Sequence, residues 1–139
     1  MALQIFPDIS KTVSLSDGTT YAYIRIPRAD ATKPTILLLH GFPSSSFGWR
    51  RVVPPLKASG FGVIAPDLLG YGDSDKPQDI AAYSLTRMTD HLIEILHLEG
   101  LKQVIGVGHD WQVPLVSSLE WAVVDNGHFE PRRMGIENS

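Results

Sequence analysis

The stretch Gln103-Val104-Ile105-Gly106-Val107-Gly108-His109-Asp110-Trp111 runs from apolar residues through glycines into a carboxylate. A short apolar run bounded by glycine predicts a strand buried on both faces. A strand that ends in a sharp turn before a helix lifts one side chain clear of the sheet, beside unpaired helical N–H groups. Gly108, two residues before Asp110, removes a Cβ where the backbone must fold back on itself. Held in such a turn, Asp110 could attack an electrophilic carbon and form an ester, which is covalent catalysis by a carboxylate. It could equally cap the following helix, and this stretch alone leaves both roles open.

The elements that must position this carboxylate follow from the rest of the chain. Residues 10–15 and 19–26 are β-prone runs joined through Ser16-Asp17-Gly18, and Asp-Gly between such runs predicts a hairpin. Residues 27–34 are polar and contain Pro27 and Pro34, so they form a loop. Thr35-Ile36-Leu37-Leu38-Leu39 is an apolar strand of the kind covered on both faces, and His40-Gly41-Phe42-Pro43 ends it. Residues 44–46 offer caps for a helix carrying Trp49, Val52, Val53 and Leu56, interrupted by Pro54-Pro55 and closed by Gly60. A third apolar strand at 61–65 leads into Pro66-Asp67-Leu68-Leu69-Gly70-Tyr71-Gly72-Asp73-Ser74-Asp75-Lys76-Pro77, where Asp67, Asp73 and Asp75 read as turn formers. Loops of that length inside a compact domain are usually functional. From residue 84 or 86 to Leu98, Leu85, Met88, Leu92, Ile95 and Leu96 recur at helical spacing, with Gly100 at the C-terminal cap. His91 and His97 on this helix read as surface side chains. Strands alternating with helices after a hairpin predict an α/β domain with a mostly parallel sheet, whose ligands bind beyond the carboxyl ends of the strands. The loops at 40–43, 67–77 and 109–111 then share one rim.

Composition narrows the function classes. A chain of 139 residues with 43% hydrophobic content supports one domain with a modest core. A net charge of −3 offers no basic face to nucleic acid or an anionic membrane, so neither partner is expected. The absence of cysteine excludes disulfides, a thiolate nucleophile and cysteine metal sites. His91 with Glu94 lacks the paired-histidine spacing of a zinc helix, Gly106-Val107-Gly108 followed by Trp111 does not complete a dinucleotide fingerprint, and no Gly-rich loop ends in Lys-Ser or Lys-Thr. Neither a metal nor a cofactor is expected. The start, Met1-Ala2-Leu3-Gln4-Ile5-Phe6-Pro7-Asp8, lacks the pattern of a signal peptide, and no apolar run is long enough to span a bilayer, which leaves the cytoplasm as the default location.

Taken in order, His40-Gly41-Phe42-Pro43, the loop at 66–77 and Gly108-His109-Asp110-Trp111 resemble the α/β-hydrolase superfamily, specifically its epoxide hydrolase branch, over residues 10–111. The resemblance implies that Asp110 is the nucleophile, opening an epoxide to give an alkyl-enzyme ester that water hydrolyses to a diol. It implies that the backbone N–H groups of Phe42 and Trp111 hold the oxyanion. Phe42, Trp49 and Trp111 would supply an apolar wall for the substrate, His40 would brace the Phe42 N–H, and Gly41, Pro43 and Gly108 complete the structural motifs. The related haloalkane dehalogenases use the same aspartate attack on a carbon bearing halogen, and Trp111 beside Asp110 fits them too.

The sequence also departs from that family. Two positions after the nucleophile the family has a small residue, normally Gly, where this chain has Gln112, whose bulk would crowd the turn. The family continues with a helical cap whose tyrosines protonate the epoxide oxygen, further strands, an acidic triad member and a histidine that activates water. The expectation is therefore an incomplete α/β-hydrolase fold without the cap domain and C-terminal strands. Residues 1–111 form the N-terminal part of the hydrolase domain and 112–139 a divergent tail, the whole being weak or inactive alone. A reading frame wrongly ended after Trp111 would produce the same abrupt change. Trp121-Ala122-Val123-Val124-Asp125-Asn126-Gly127-His128-Phe129 resembles the strand and loop that carry the family's histidine. If residues 121–125 paired parallel beside the strand at 103–107, His128 would reach the rim as a base; the other reading places it in a solvated tail. Outside catalysis, the alternative is a module that associates with itself through a bare apolar sheet edge at 103–107.

Overall fold

The computed structural model describes residues 2–41, 44–108, 122–125 and 128–131, the last two segments as backbone. Five strands, β1 (Ser10–Ser14), β2 (Thr20–Ile26), β3 (Thr35–Leu39), β4 (Gly62–Pro66) and β5 (Ile105–Gly108), form one sheet in the order β1-β2-β4-β3-β5. β1 and β2 are antiparallel, β2 is antiparallel to β4, and β3 is parallel to both β4 and β5. The expected hairpin followed by a mainly parallel sheet is thus present. Its turn is closed by Leu15 N–H to Thr19 O at 2.8 Å and Thr19 N–H to Asp17 Oδ1 at 2.9 Å. Gly18 sits at φ +86°, a conformation that costs a residue without Cβ little.

Side chains alternate across the sheet, as the two-residue strand period requires. On one face Tyr21, Tyr23, Leu37, Leu39 and Ile64 pack beneath Leu92, Ile95 and Leu96 of the helix Leu85–Leu98, while on the other Ile24, Ile26, Ile36, Leu38 and Val63 pack with Val53. The helices are α1 (Ala2–Ile5), α2 (Val53–Ala58) and α3 (Leu85–Leu98). Ser84 caps α3 by accepting the Arg87 N–H at 3.3 Å, and Gly100 at φ +69° lets Leu101 N–H reach Leu96 O at 2.9 Å. Residues 44–58 are not one interrupted helix. A 3₁₀ turn at Ser46–Trp49, capped by Ser45, precedes α2, and Pro54 and Pro55 lie in the first turn of α2, where their missing N–H groups are not needed.

Three expectations are corrected. β5 is not buried on both faces: Ile105 is 52% and Val107 39% exposed, because among the described residues β5 is an edge strand next to β3 alone. The strand at Ala122–Asp125 exists, but it pairs antiparallel with His128–Pro131 in a separate two-stranded sheet, with Asp125 opposite His128, and not parallel beside β5. Asn126-Gly127 between the two strands is the short hairpin signal that accounts for this. His97 is exposed, whereas His91 is buried on the sheet-facing side of α3. Among the described residues no helix is long and apolar enough to cross a membrane.

His91 is buried because its polar atoms find partners. Nε2 lies 2.7 Å from Asp17 Oδ2 and Nδ1 lies 3.1 Å from the Tyr21 hydroxyl. A carboxylate only accepts, so Nε2–H donates to Asp17, while Nδ1 and the Tyr21 hydroxyl share a second hydrogen bond. The hydrogen bond from His91, reinforced by those from Thr19, holds the Asp17 carboxyl well below the usual carboxylate range. Ser16 N–H and Oγ–H reach Glu94 at 2.6 and 3.0 Å, so the hairpin tip is fastened to α3 by two adjacent residues.

The packing of α3 is testable with two leucines on opposite sides of it. Leu92 is 1% and Leu98 54% exposed. Leu92→Ala is expected to cost about 2–5 kcal/mol in urea unfolding, and Leu98→Ala to stay within about 0.5 kcal/mol; equal losses would contradict this orientation of the helix.

Candidate active site

The site is built where β3 ends. His40, 2% exposed, accepts the Leu68 N–H at Nε2 over 2.9 Å and lies 3.0 Å from the Gly41 carbonyl through Nδ1. A backbone N–H can only donate, so Nε2 is the acceptor and the proton sits on Nδ1, which donates to Gly41. Tyr71 meets the imidazole edge-on, with centroids 5.1 Å apart. Burial pushes the His40 pKa below its ordinary value of 6.5, outweighing the Gly41 hydrogen bond and the nearby Asp67 carboxylate. The imidazole is therefore neutral at pH 7. The bond seen braces Leu68; the Phe42 N–H that it was expected to brace lies outside the described residues.

A cavity of about 270 Å³ opens beside this histidine, lined by His40, Gly41, Ser44, Gly48 and Trp49. Three of the expected residues, His40, Gly41 and Trp49, are thus brought to one hollow. Trp49 rests against the apolar cluster on its sheet face, and its buried Nε1–H has no acceptor among the described residues. Ser44 and Gly48 also line the wall, and the sequence had marked Ser44 only as a helix cap and Gly48 not at all.

The register Leu39 opposite Gly108 sets the carboxyl ends of β3 and β5 side by side. His40 and Gly41 therefore leave β3 next to the end of β5 at Gly108. Asp110, Trp111, Phe42 and Pro43 lie outside the described residues, as does the side chain of His128, whose backbone belongs to the separate hairpin.

Asp67 is a buried hub, more than a turn former. It is fully buried, and its Oδ1 accepts from Ser46 N–H at 2.9 Å and Ser46 Oγ–H at 2.6 Å, while Oδ2 accepts the Asp73 N–H at 3.1 Å. Asp75 acts as expected, accepting the Thr20 N–H at 2.8 Å. The partner Ser46 was unforeseen, because nothing local to a run of three serines shows which one turns inward. A slightly larger hollow of about 300 Å³ holds Asp75, Lys76, Arg87 and His91, but none of the expected site residues. Its Lys76 Nζ already donates to the Gly72 carbonyl at 2.6 Å, and its Arg87 pairs with Asp17 at 3.5 Å.

The neutral His40 has a measurable consequence. Its pKa in the folded state lies below the 6.5 of an unperturbed imidazole, so the unfolded chain binds more protons just below that pH. Stability is then fully present above pH 6.5 and falls as the pH drops, by up to about 1.4 kcal/mol per pH unit for one group. Thermal unfolding followed between pH 7.5 and 5 is expected to show a falling midpoint, with a shallower slope in His40→Gln.

Comparison with known proteins agrees with this architecture. Residues 34–111 match the family model of the alpha/beta hydrolase fold. The chain is 41% identical over 83 residues to epoxide hydrolase A of Mycobacterium tuberculosis, covering 60% of this chain and 26% of that protein. It is 42% identical over 86 residues to bifunctional epoxide hydrolase 2 of Rattus norvegicus, covering 62% and 16%. Among solved structures, epoxide hydrolase A from Mycobacterium thermoresistibile superposes with a TM-score of 0.68 at 34% identity, over 77% of this chain and 33% of that one. An epoxide hydrolase from Vigna radiata gives 0.69 at 30% identity, over 78% and 33%. The chain spans a third or less of the length of these proteins. With the five-stranded sheet order, the rim loops and a family match over more than half its length, the chain belongs to the α/β-hydrolase fold family.

Proposed function

We propose that this chain carries the nucleophile half of an epoxide hydrolase site. The observation that supports it most is the pairing of Leu39 with Gly108, which sets the exits of β3 and β5 together beside the cavity of His40, Gly41 and Trp49. Asp110 attacks an epoxide carbon, the C–O bond of the ring breaks, and the ring oxygen takes a proton to leave a hydroxyalkyl ester. Water then adds to the ester carbonyl, the N–H groups of Phe42 and Trp111 donate to the oxyanion, and collapse releases a diol and restores the carboxylate. The base for that water is left unassigned, because the strand pairing on which His128 would reach the rim is not the one formed. The names of the relatives favour an epoxide over a haloalkane substrate.

Incubation with a reactive epoxide followed by intact-mass measurement is expected to show one added epoxide mass, mapped to Asp110 and missing in Asp110→Asn. No adduct, or an adduct that survives that substitution, would overturn the assignment. Halide release from a haloalkane without reaction of the epoxide would move the chain to dehalogenase chemistry.

The exposed side chains of β5 favour a second role, association of two copies through this edge. An edge strand with apolar side chains and unpaired backbone groups is a template for pairing, and lysine blocks it. Sedimentation at rising concentration is expected to show a dimer that Val107→Lys weakens; a monomer at every concentration excludes it.

A further inference from the structure

The loop at 41–45 begins after His40 and ends before Ser46, and both of these residues are tied to consecutive positions on the neighbouring strand exit. His40 Nε2 accepts the Leu68 N–H at 2.9 Å, and Ser46 donates twice to Asp67 Oδ1, from N–H at 2.9 Å and from Oγ at 2.6 Å. The anchor is itself rigidly held. Asp67 N–H donates to Ala22 O at 2.9 Å, its carbonyl accepts from Ser74 Oγ, and Ser74 Oγ accepts the Ala22 N–H at 3.0 Å. Gly72, at φ +53°, passes so close that a Cβ there would collide with the Asp67 carboxylate.

A buried carboxylate is expensive unless several donors converge on it, and charge-assisted bonds to it are short and directional. Here the converging donors come from two loops of the same rim, the one after β3 and the one after β4. A turn former would need only the bond to Asp73 within its own loop. The bonds to Ser46 reach across to the neighbouring loop, 21 residues away in sequence.

We propose that Asp67 is a positioning residue: with the Leu68 N–H it clamps both ends of the loop at 41–45, the loop to which the epoxide hydrolase reading assigns an oxyanion donor, the Phe42 N–H. The inference deepens the epoxide hydrolase reading and rests on it for the role of Phe42. The clamp itself is a property of this loop whatever the reaction.

Hydrogen–deuterium exchange on the full chain tests the clamp without requiring activity. Ser46→Ala removes one of the two bonds to Oδ1, and Asp67→Asn sets an amide N–H₂ against either the Ser46 donors or the Asp73 N–H. Exchange at the amides of 44–49 is expected to rise about tenfold in Asp67→Asn and by less in Ser46→Ala, with α3 and β2 amides within about twofold of the parent. Unchanged exchange at 44–49 in both variants overturns the clamp. A uniform rise over sheet and α3 in both makes Asp67 a residue of the fold at large and also overturns it. Where the parent forms the Asp110 ester, Ser46→Ala is further expected to slow hydrolysis of that ester more than its formation, because the oxyanion develops in the second step. Failure of the parent to form any ester removes the reaction and leaves the exchange result to decide the clamp.

Discussion

The rim of this protein depends on a carboxylate taken out of water. Asp67 stands at the carboxyl end of β4 with no exposed surface, and Ser46 and Asp73 donate to it from two different loops. Removing a carboxylate from solvent costs several kcal/mol unless hydrogen bonds replace the lost hydration, so the arrangement persists only while each donor is in place. That requirement links the loop after β3 to the loop after β4. It also explains Gly72, whose absent Cβ leaves room for the carboxylate.

Two buried imidazoles, His40 and His91, each join two elements of the fold. His40 accepts a hydrogen bond from the Leu68 N–H and donates one to the Gly41 carbonyl; His91 donates to Asp17 and shares a hydrogen bond with the Tyr21 hydroxyl. A neutral imidazole satisfies one donor and one acceptor at once, which suits a junction between two elements. His40 joins the exits of β3 and β4, and His91 joins α3 to the β1–β2 turn. The His40 junction stops working when the ring gains a second proton, since Nε2 then becomes a donor facing the Leu68 N–H.

The central strands set the frame for these junctions. β3 and β4 are buried along their whole length, with Leu37 and Leu39 toward α3 and Ile36 and Leu38 toward α2. The cavity at His40, Gly41 and Trp49 opens at the carboxyl end of β3. The outer strand β5 is half open to solvent, yet its register with β3 is the feature that relates the two motif-bearing strand ends.

Much of this was legible in the residues themselves. Period-two and period-3.6 patterns, Asp17-Gly18, Gly60 and Gly100 marked the hairpin, β3, β4 and α3 because those signals are local. The motifs at His40-Gly41-Phe42-Pro43 and Gly108-His109-Asp110-Trp111 pointed to the α/β-hydrolase family in the same way. Tertiary structure alone decided that His91 is interior, since its partners Asp17 and Tyr21 lie more than seventy residues away or at that distance in the chain. It alone decided that Ala122–Asp125 folds on His128–Pro131 instead of joining the sheet, and that β5 is an edge with Ile105 exposed. Periodicity records which side of a strand or helix is apolar, but the partner that covers it, and the donor that finds a buried carboxylate such as Asp67, are chosen by contacts between residues distant in sequence.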